Sequence, residues 1–205
     1  MSGSLSLSAF VLAGGKSTRM GTDKAFVQLD GRSLLERALD LGRTVTADVC
    51  IVGDVARFGS YAAVVEDVYP DRGPLGGIHA ALRASRTELN LILAVDIPFV
   101  MKEFLRYLIA RAQNAPTAVV TVPKAGGRWQ PLCAVYRRAF SDAAESALRA
   151  GRYKIDALYG SLKIEVVEES EMMEAGFSGE MFRNLNTKDD LLTAKSASSK
   201  LEASS

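Results

Sequence analysis

The sequence is poor in the residues that build metal centres and nucleophile triads. Its 205 residues include one histidine and two cysteines, so a closed set of Cys and His ligands of the kind that structural zinc needs is excluded. The histidine, His79, lies in a helical apolar pattern, and no partners for a Ser/His or Cys/His arrangement can be assigned to it. Cys50 and Cys133 lie in apolar, strand-like runs, where we expect them to fill the core.

Long apolar runs and a strong charge of either sign are also missing. No run approaches the roughly 20 apolar residues that a membrane-spanning helix needs, and Met1 to Ser4 lack the basic region of a secretory signal. The formal net charge of +1 gives no general attraction to nucleic acid. We therefore expect a cytoplasmic protein with neither a membrane nor a nucleic acid as partner.

The length and composition fit one α/β domain with a substantial core, since 48% of the residues are hydrophobic and 24% are charged. Apolar runs of strand length alternate with helical patterns, which predicts a mainly parallel central sheet covered on both faces, a Rossmann-like three-layer domain. The predicted strands are 8–13, 48–52, 62–66, 90–95, 117–122, 132–137 and 162–167, and the predicted helices are 33–43, 75–85, 101–113, 138–149, 154–159 and 187–195. The domain is expected to span 7–195, with disordered tails at 1–6 and 196–205.

The run 132–136 differs from the other predicted strands. It follows the turn-rich segment 124–128, and we expect it to pair antiparallel with its neighbours.

A glycine-rich, basic loop follows the first predicted strand. Gly14 and Gly15 let the backbone approach a ligand closely, and the cations of Lys16, Arg19 and Lys24 stand among main-chain N–H groups, which is the chemistry of polyphosphate recognition. At the carboxyl end of a parallel strand this combination predicts a nucleotide site.

Two familiar phosphate motifs do not account for this loop. A P-loop would need a glycine where Phe10 stands, and the Gly14-Gly15-Lys16 sequence does not give the G-x-G-x-x-G spacing of a dinucleotide fingerprint.

Two aspartates end predicted strands. Asp96 follows the apolar run 91–95, at the position where open α/β sheets bind ligands, and Mg²⁺ is held by one or two carboxylates together with substrate phosphates and water. The alternative, that Asp96 caps helix 101–113, is disfavoured because Asp96 lies five residues before the start of that helix, too far away to cap it.

Asp67 ends the run 63–67. There its carboxylate can accept two hydrogen bonds from guanine N1–H and the exocyclic amine. The alternative is an ordinary turn aspartate.

The segment Gly73-Pro74-Leu75-Gly76-Gly77 opens the predicted helix 75–85. Pro74 suits an early helical position, and the free N–H groups that follow it form an anion or base-edge site.

The motifs occur together in one family. The string Leu12-Ala-Gly-Gly-x-Ser-x-Arg-Met-Gly-x-Asp-Lys24 resembles that of the molybdenum cofactor guanylyltransferases, a branch of the nucleotidyltransferases. Further segments match in the same order, and the resemblance spans residues 9 to about 193. These segments are Val65-Glu66-Asp67, Gly73 to Ile78, Val95-Asp96-Ile97-Pro98, Gln130-Pro131-Leu132 and Phe182 to Thr187.

The resemblance implies a nucleotide-diphospho-sugar transferase type of fold and a reaction. GMP would pass from GTP to the terminal phosphate of molybdopterin, with or without its molybdenum, and pyrophosphate would leave. Mg²⁺ would be the cofactor, and proteins that carry the molybdenum cofactor or receive it as apo-molybdoenzymes would be partners.

The resemblance and the residue chemistry together give each site residue a role. The catalytic candidates are Arg19, Lys24 and Asp96, of which Asp96 is also the metal ligand. The nucleotide-binding candidates are Leu12, Ala13, Gly14, Gly15, Lys24, Asp67, Gly76 and Asp96. The acceptor-binding candidates are Gln130, Pro131, Asn184 and Asn186, whose amides suit a pterin edge; local turn bonding is the alternative for the two asparagines.

Three alternatives stay open at this point. A cytidylyltransferase acting on the same cofactor or a sugar-nucleotide pyrophosphorylase would share the first loop, and a non-catalytic binding partner would present the cofactor to an apo-enzyme.

Gly53 stands where relatives often carry asparagine, so any side-chain contact there is lost. A second Mg²⁺ ligand is left open between Asp190 and Asn186.

Overall fold

The computed structural model describes residues 6–14 and 23–185. The predicted helix 187–195, the tail 196–205 and most of the tail 1–6 lie outside these residues, as do Gly15, Lys16, Arg19 and Asn186.

Ten strands and six α-helices occur in the described residues. The strands are β1 (Leu7–Leu12), β2 (Gln28–Leu29), β3 (Arg32–Ser33), β4 (Val49–Val52), β5 (Ala63–Val65), β6 (Leu89–Ala94), β7 (Val120–Ala125), β8 (Arg128–Trp129), β9 (Cys133–Arg137) and β10 (Ile164–Val167). The helices are α1 (Leu34–Arg43), α2 (Val55–Phe58), α3 (Pro74–Ala84), α4 (Lys102–Asn114), α5 (Phe140–Arg149) and α6 (Glu169–Glu174), and 3₁₀ turns lie at Lys24–Phe26, Asp156–Ser161 and Gly179–Phe182.

The central sheet has the strand order β10-β7-β9-β6-β1-β4-β5, and β8 forms a hairpin with β7. All of these pairings are parallel except those that involve β9 and the β7–β8 hairpin. The expected mainly parallel sheet is therefore confirmed, and so is the antiparallel pairing of the run that follows the turn-rich segment.

The two faces of the sheet are covered by different helices. Phe10 on β1 and Ile92 on β6 point into a core shared with α3 and α5. Their neighbours Val11 and Leu91 point the other way, into cores built with α1 and α4 respectively. This alternation, which follows from the two-residue period of a strand, gives the three layers. β6 is buried at every position, as a central strand covered on both faces must be.

The local sequence explains most helix ends. Ser33 and Glu36 form a complete capping box at α1, and Pro74 stands at the start of α3, where its missing N–H costs nothing. Sequence patterns do not predict α2 and α6, because four and six residues are too few for a helical period to show. The predicted helix 154–159 is a 3₁₀ turn at Asp156–Ser161.

The parallel strands bring the candidate site together. Leu12 lies level with Val52 on one side and Ala94 on the other, so the segments that follow β1, β4 and β6 leave the sheet at one edge. Because β9 runs the opposite way, the residues before it reach the same edge, where Ala94 N–H donates to Leu132 O at 2.9 Å. Among the described residues, no helix combines the length and apolarity that crossing a membrane requires.

Candidate active site

A cation and a carboxylate meet at the carboxyl edge of the sheet. Lys24 Nζ lies 3.4 Å from Asp96 Oδ2, and the two side chains are 23% and 24% exposed. Lys24 begins a 3₁₀ turn whose N-cap, Asp23, accepts the Ala25 N–H, and Arg57 pairs with the Asp23 carboxylate. The turn that carries Lys24 is thus anchored through Asp23, and the Lys24 ammonium lies beside the carboxylate that follows β6.

Asp96 is not a helix cap. The N-cap of α4 is Met101, and no side chain bonds there, so the capping alternative is excluded. The backbone of Asp96 instead receives the Leu185 N–H at 2.9 Å. Because Leu185 is buried beside Val95, this bond fixes the neighbouring Asn184, which is exposed, next to the loop that carries Asp96.

Asp67 lies against the first turn of α3. Its Oδ1 accepts the Tyr69 N–H at 2.8 Å, and a Cβ at Gly76 would stand 2.7 Å from its Oδ2 and 3.0 Å from Tyr69 O. Only a glycine at position 76 therefore lets the helix approach so closely. Burial raises the pKa of Asp67, an effect that the Tyr69 N–H and the nearby His79 oppose without cancelling.

The start of α3 has the open N-terminus expected from the sequence. Gly73, at φ 68°, is the N-cap, and no side chain bonds to the first turn. The left-handed backbone there favours glycine. Asp71, at φ 61°, lies in the preceding turn.

The predicted acceptor residues Gln130 and Pro131 lie where β8 returns to β9. Gln130 N–H donates to Pro123 O at 2.9 Å, and Gln130 O accepts the Cys133 N–H at 3.0 Å. Both side chains are partly exposed. The main chain at Gln130 therefore lies at the carboxyl edge, just beyond the paired ends of β6 and β9, and its side-chain amide donates to Arg128 O at 3.4 Å.

The described part of the first loop fits close approach to a ligand. Ala13 N–H donates to Val52 O at 3.1 Å, and a Cβ at Gly14 would meet nothing nearer than Val52 O at 3.9 Å. Gly53 is different, since a Cβ there would stand 2.9 Å from the Phe58 ring. Because Phe58 is buried, a larger residue at position 53 would require this ring to move.

Known proteins are similar to this chain over most of its length. The sequence pattern of the MobA-like NTP transferase domain matches residues 9–165. A probable molybdenum cofactor guanylyltransferase of Pelotomaculum thermopropionicum is 34% identical over 193 residues, covering 93% of this chain and 93% of the relative. The molybdenum cofactor guanylyltransferase of Desulfosudis oleivorans is 34% identical over 93% of this chain and 95% of its own.

A solved structure agrees with the sequence relatives. The molybdopterin-guanine dinucleotide biosynthesis protein A of Archaeoglobus fulgidus superposes with a TM-score of 0.82 at 29% identity, over 94% of this chain and 99% of that one. The chain belongs to the MobA-like NTP transferase family. The resemblance drawn from the motifs and the expected single α/β domain are both confirmed.

In this MobA-like NTP transferase, most of the predicted site residues lie at the carboxyl edge of the central sheet. The described members on that edge are Leu12, Ala13, Gly14, Lys24, Asp67, Gly76, Asp96, Gln130, Pro131 and Asn184. Gly15, Arg19 and Asn186 lie outside the described residues, and the roles predicted for all of these site residues stay predictions. The described residues hold no cluster of three or more His, Cys, Asp or Glu side chains placed for a metal ion.

One part of this MobA-like site is not among the residues predicted from the sequence. Tyr69 holds the Asp67 carboxylate through its N–H, and its ring packs on His79. Tyr69 is separated from Asp67 by one residue, so the tight turn after β5 was the available signal. The packing on His79 depends on how α3 docks, which no local pattern gives.

The cysteines fill the core, as expected. Cys133 is fully buried and Cys50 partly so, and both are free thiols. Burial raises the pKa of each thiol, that of Cys133 far above its usual range. Neither is a thiolate nucleophile.

Proposed function

We propose that this chain transfers GMP from GTP to the terminal phosphate of molybdopterin, with or without bound molybdenum, and releases pyrophosphate. The observation that carries the proposal is the 3.4 Å approach of Lys24 Nζ to Asp96 Oδ2, on the edge where Asp67 lies against α3. The names of the relatives in the family support the choice of nucleotide and acceptor.

The proposed reaction needs positioned charges more than a proton carrier. An oxygen of the acceptor phosphate forms a bond to the α-phosphorus of GTP, and the bond from that phosphorus to the bridging oxygen breaks as pyrophosphate leaves. A phosphate monoester has its second pKa at about 6, so the acceptor is already largely dianionic at pH 7 and needs no general base. A chain with one histidine suits a reaction of this kind.

Lys24 is proposed to bind triphosphate oxygens. Its ammonium lies on a braced backbone and within reach of Asp96, so it is positioned before the nucleotide arrives. Arg19 is proposed to share this role, because a guanidinium can hold two phosphate oxygens at once. Gly15 is proposed to let the backbone approach the phosphates.

Asp96 is proposed to hold Mg²⁺. A single carboxylate, about a quarter exposed at the sheet edge, fits an ion that takes one or two carboxylates and completes its shell with phosphates and water. When bound, Mg²⁺ neutralises charge on the triphosphate and the leaving pyrophosphate. The Asp96 carboxylate would position the ion, and the ammonium of Lys24 beside it keeps that carboxylate in place.

Asp67 is proposed to select guanine. Its carboxylate can accept hydrogen bonds from N1–H and the exocyclic amine, a donor pair that adenine and cytosine lack. Leaving a buried carboxylate half paired costs roughly 1–3 kcal/mol, which is enough for about a tenfold preference. Leu12, Ala13, Gly14 and Gly76 are proposed to border the base and ribose.

The acceptor side is proposed to comprise Gln130, Pro131, Asn184 and Asn186. The side-chain amides of Gln130, Asn184 and Asn186 can meet both donors and acceptors of a pterin edge. The Leu185–Asp96 bond connects this side to the proposed metal ligand. Proteins that carry the cofactor and apo-molybdoenzymes are proposed as partners. The cytoplasmic location stays a prediction.

Equilibrium binding of GTP, CTP and ATP in the presence of Mg²⁺, measured by calorimetry, tests the proposal first. GTP is expected to bind at least about tenfold more tightly than the other two. A preference for CTP would move the assignment to cytidylyl transfer, and no binding of any triphosphate would overturn the enzyme proposal.

Pyrophosphate release in the presence of molybdopterin separates the enzyme from a binding partner. Asp96→Ala is expected to abolish release while leaving the fold intact. Asp142→Ala, which removes an exposed carboxylate from the first turn of α5, is the matched control and should release pyrophosphate at the wild-type rate. Near-normal release by Asp96→Ala would remove Asp96 from the metal role.

A further inference from the structure

His79 is a buried polar side chain. Its side chain is 4% exposed, and neither ring nitrogen has a hydrogen-bond partner among the described residues. Burying a polar group without a partner is costly, so a merely space-filling role would be better served by an apolar residue. The position of this ring therefore calls for an explanation.

The ring is surrounded by groups from two other elements. The Tyr69 ring meets it edge-on, with ring centroids 5.2 Å apart and an interplanar angle of 68°. On α5, Glu145 Oε2 lies 4.0 Å from His79 Nε2, and Arg149 Nη2 donates to the same carboxylate at 2.6 Å. Burial lowers the pKa of His79 despite Glu145, which keeps the ring neutral near pH 7.

Tyr69 connects this ring to the candidate base site. Its N–H donates to Asp67 Oδ1 at 2.8 Å, its hydroxyl lies 3.5 Å from Glu145 Oε1, and its ring packs on His79. An aromatic pair in this edge-on geometry is favourable beyond the area it buries. The ring contact thus fixes the residue whose N–H orients the carboxylate.

We infer that His79 is a positioning residue for base recognition: its ring holds Tyr69, and through the Tyr69 N–H it holds Asp67 in the orientation that meets both guanine donors. The inference rests on the proposed function, since it assigns His79 to the selection of the base that Asp67 is proposed to read. His79 does not touch the nucleotide, and its effect passes through Asp67.

ITP is the probe that isolates this effect. Inosine keeps N1–H and lacks the exocyclic amine, so it loses one of the two proposed bonds to Asp67 and is otherwise the same ligand. The quantity to measure is the ratio of kcat/KM for GTP to kcat/KM for ITP. A cavity that only destabilises the fold lowers the melting temperature and leaves this ratio unchanged.

His79→Ala is expected to lower the GTP/ITP ratio by roughly threefold to tenfold, the size of coupling usual between contacting groups, with kcat at saturating GTP near the wild-type value. His79→Phe keeps a ring against Tyr69 and should restore most of the ratio. Leu82→Ala, which truncates another buried residue of α3, is the matched control: it should lower stability and leave the ratio unchanged.

Two further variants keep the test decisive if His79→Ala does not fold. Tyr69→Leu removes the ring from the other side of the contact and retains the N–H, so it should lower the ratio as His79→Ala does. Tyr69→Phe retains the ring and should leave the ratio unchanged.

A double variant tests whether the effect passes through Asp67. In an Asp67→Asn background, His79→Ala should change the ratio no further.

The outcomes separate this inference from the proposed function. An unchanged GTP/ITP ratio in His79→Ala and Tyr69→Leu, together with a reduced ratio in Asp67→Asn, overturns the positioning role and leaves guanine selection by Asp67 intact. An unchanged ratio in Asp67→Asn itself overturns the proposed role of Asp67, and the inference fails with it.

Discussion

At the scale of single residues, Asp67 is the side chain whose environment says most about its use. It is partly buried, it accepts the Tyr69 N–H, and Gly76 leaves just enough room for its carboxylate. Burial is the largest influence on its pKa and raises it above the usual value for an aspartate. A carboxylate that is costly to ionise in the free protein gains most from a ligand with two N–H donors.

The raised pKa of Asp67 predicts how guanine selectivity depends on pH. Only the ionised carboxylate can accept both donors, so the GTP/ATP affinity ratio should fall as the pH drops through the pKa of Asp67, at a higher pH than for an exposed aspartate. Calorimetry from about pH 7 down to about pH 4 measures this. Since both ligands carry the same triphosphate, its titration cancels in the ratio.

The raised pKa of Asp67 has the opposite effect on the pH dependence of folding stability in the absence of ligand. The folded state holds the Asp67 proton more tightly than the unfolded state does, so the contribution of this group to stability decreases as pH rises through the two pKa values. Asp67→Asn should remove both effects. If the GTP/ATP affinity ratio depended on pH as steeply in Asp67→Asn as in the wild type, the assignment of guanine selection to Asp67 would be contradicted.

At the scale of elements, the β7–β8 hairpin depends on α6 for its position. Glu169 Oε2 on α6 accepts the Gly126 N–H at 2.8 Å, and Lys124 lies over the Trp129 ring at 5.3 Å. Gly126 and Gly127, at φ 54° and 69°, form a turn that favours glycine at both positions. The hairpin leads directly into Gln130 and Pro131, so α6 indirectly sets the acceptor side of the site.

Glu169→Ala should therefore loosen the hairpin and weaken acceptor binding selectively. We expect faster amide exchange at Gly126 and a KM for molybdopterin raised about threefold to tenfold, consistent with one partly exposed, charge-assisted hydrogen bond. The KM for GTP should not change. Glu174→Ala, an exposed carboxylate at the end of the same helix, is the control, and an equal rise in both KM values would argue for general destabilisation instead.

The elements also show how far the sequence could predict the fold. The buried strands, α1, α3 and the antiparallel run carry their own patterns, because apolar period, capping box and turn residues are local signals. α6 is too short for its six residues to show a helical period, and its contact with the hairpin is a tertiary one, since Glu169 bonds to a residue 43 positions away in the chain. The break of residues 156–161 into a 3₁₀ turn likewise depends on packing Leu158 and Tyr159 under the sheet.

At the scale of the whole molecule, the site was easier to predict than its internal contacts. Parallel strands that end at one edge bring Asp67 and Asp96 to that edge whatever their sequence separation, and the loop after β1 joins them there. The pairing of Lys24 with Asp96, 72 residues apart, and the bond from Leu185 to Asp96 O depend on where loops settle on the finished sheet. Sequence patterns contain no such information.

The opposite, amino edge of the sheet has a purely structural centre in Arg137. Its side chain is buried, and it donates to Ala118 O and Ala112 O at 3.0 Å each and to Glu88 at 3.1 Å. These bonds tie the end of β9 to the last turn of α4 and to the segments that enter β6 and β7. Removing the guanidinium leaves two carbonyl groups without this donor and Glu88 without its cation.

Arg137→Ala should therefore lower the free energy of unfolding by about 2–4 kcal/mol, the cost of several buried acceptors losing one charged donor. In a domain of this size that corresponds to a melting temperature lower by very roughly 5–15 °C. Because Arg137 lies at the edge remote from the proposed chemistry, kcat/KM per folded molecule should stay at the wild-type value. Arg138→Ala, its exposed neighbour, should stay within about 0.5 kcal/mol of wild type. Denaturant unfolding and pyrophosphate release measured on the same samples decide the matter: reduced turnover at unchanged stability in Arg137→Ala would contradict a division between a structural amino edge and a functional carboxyl edge.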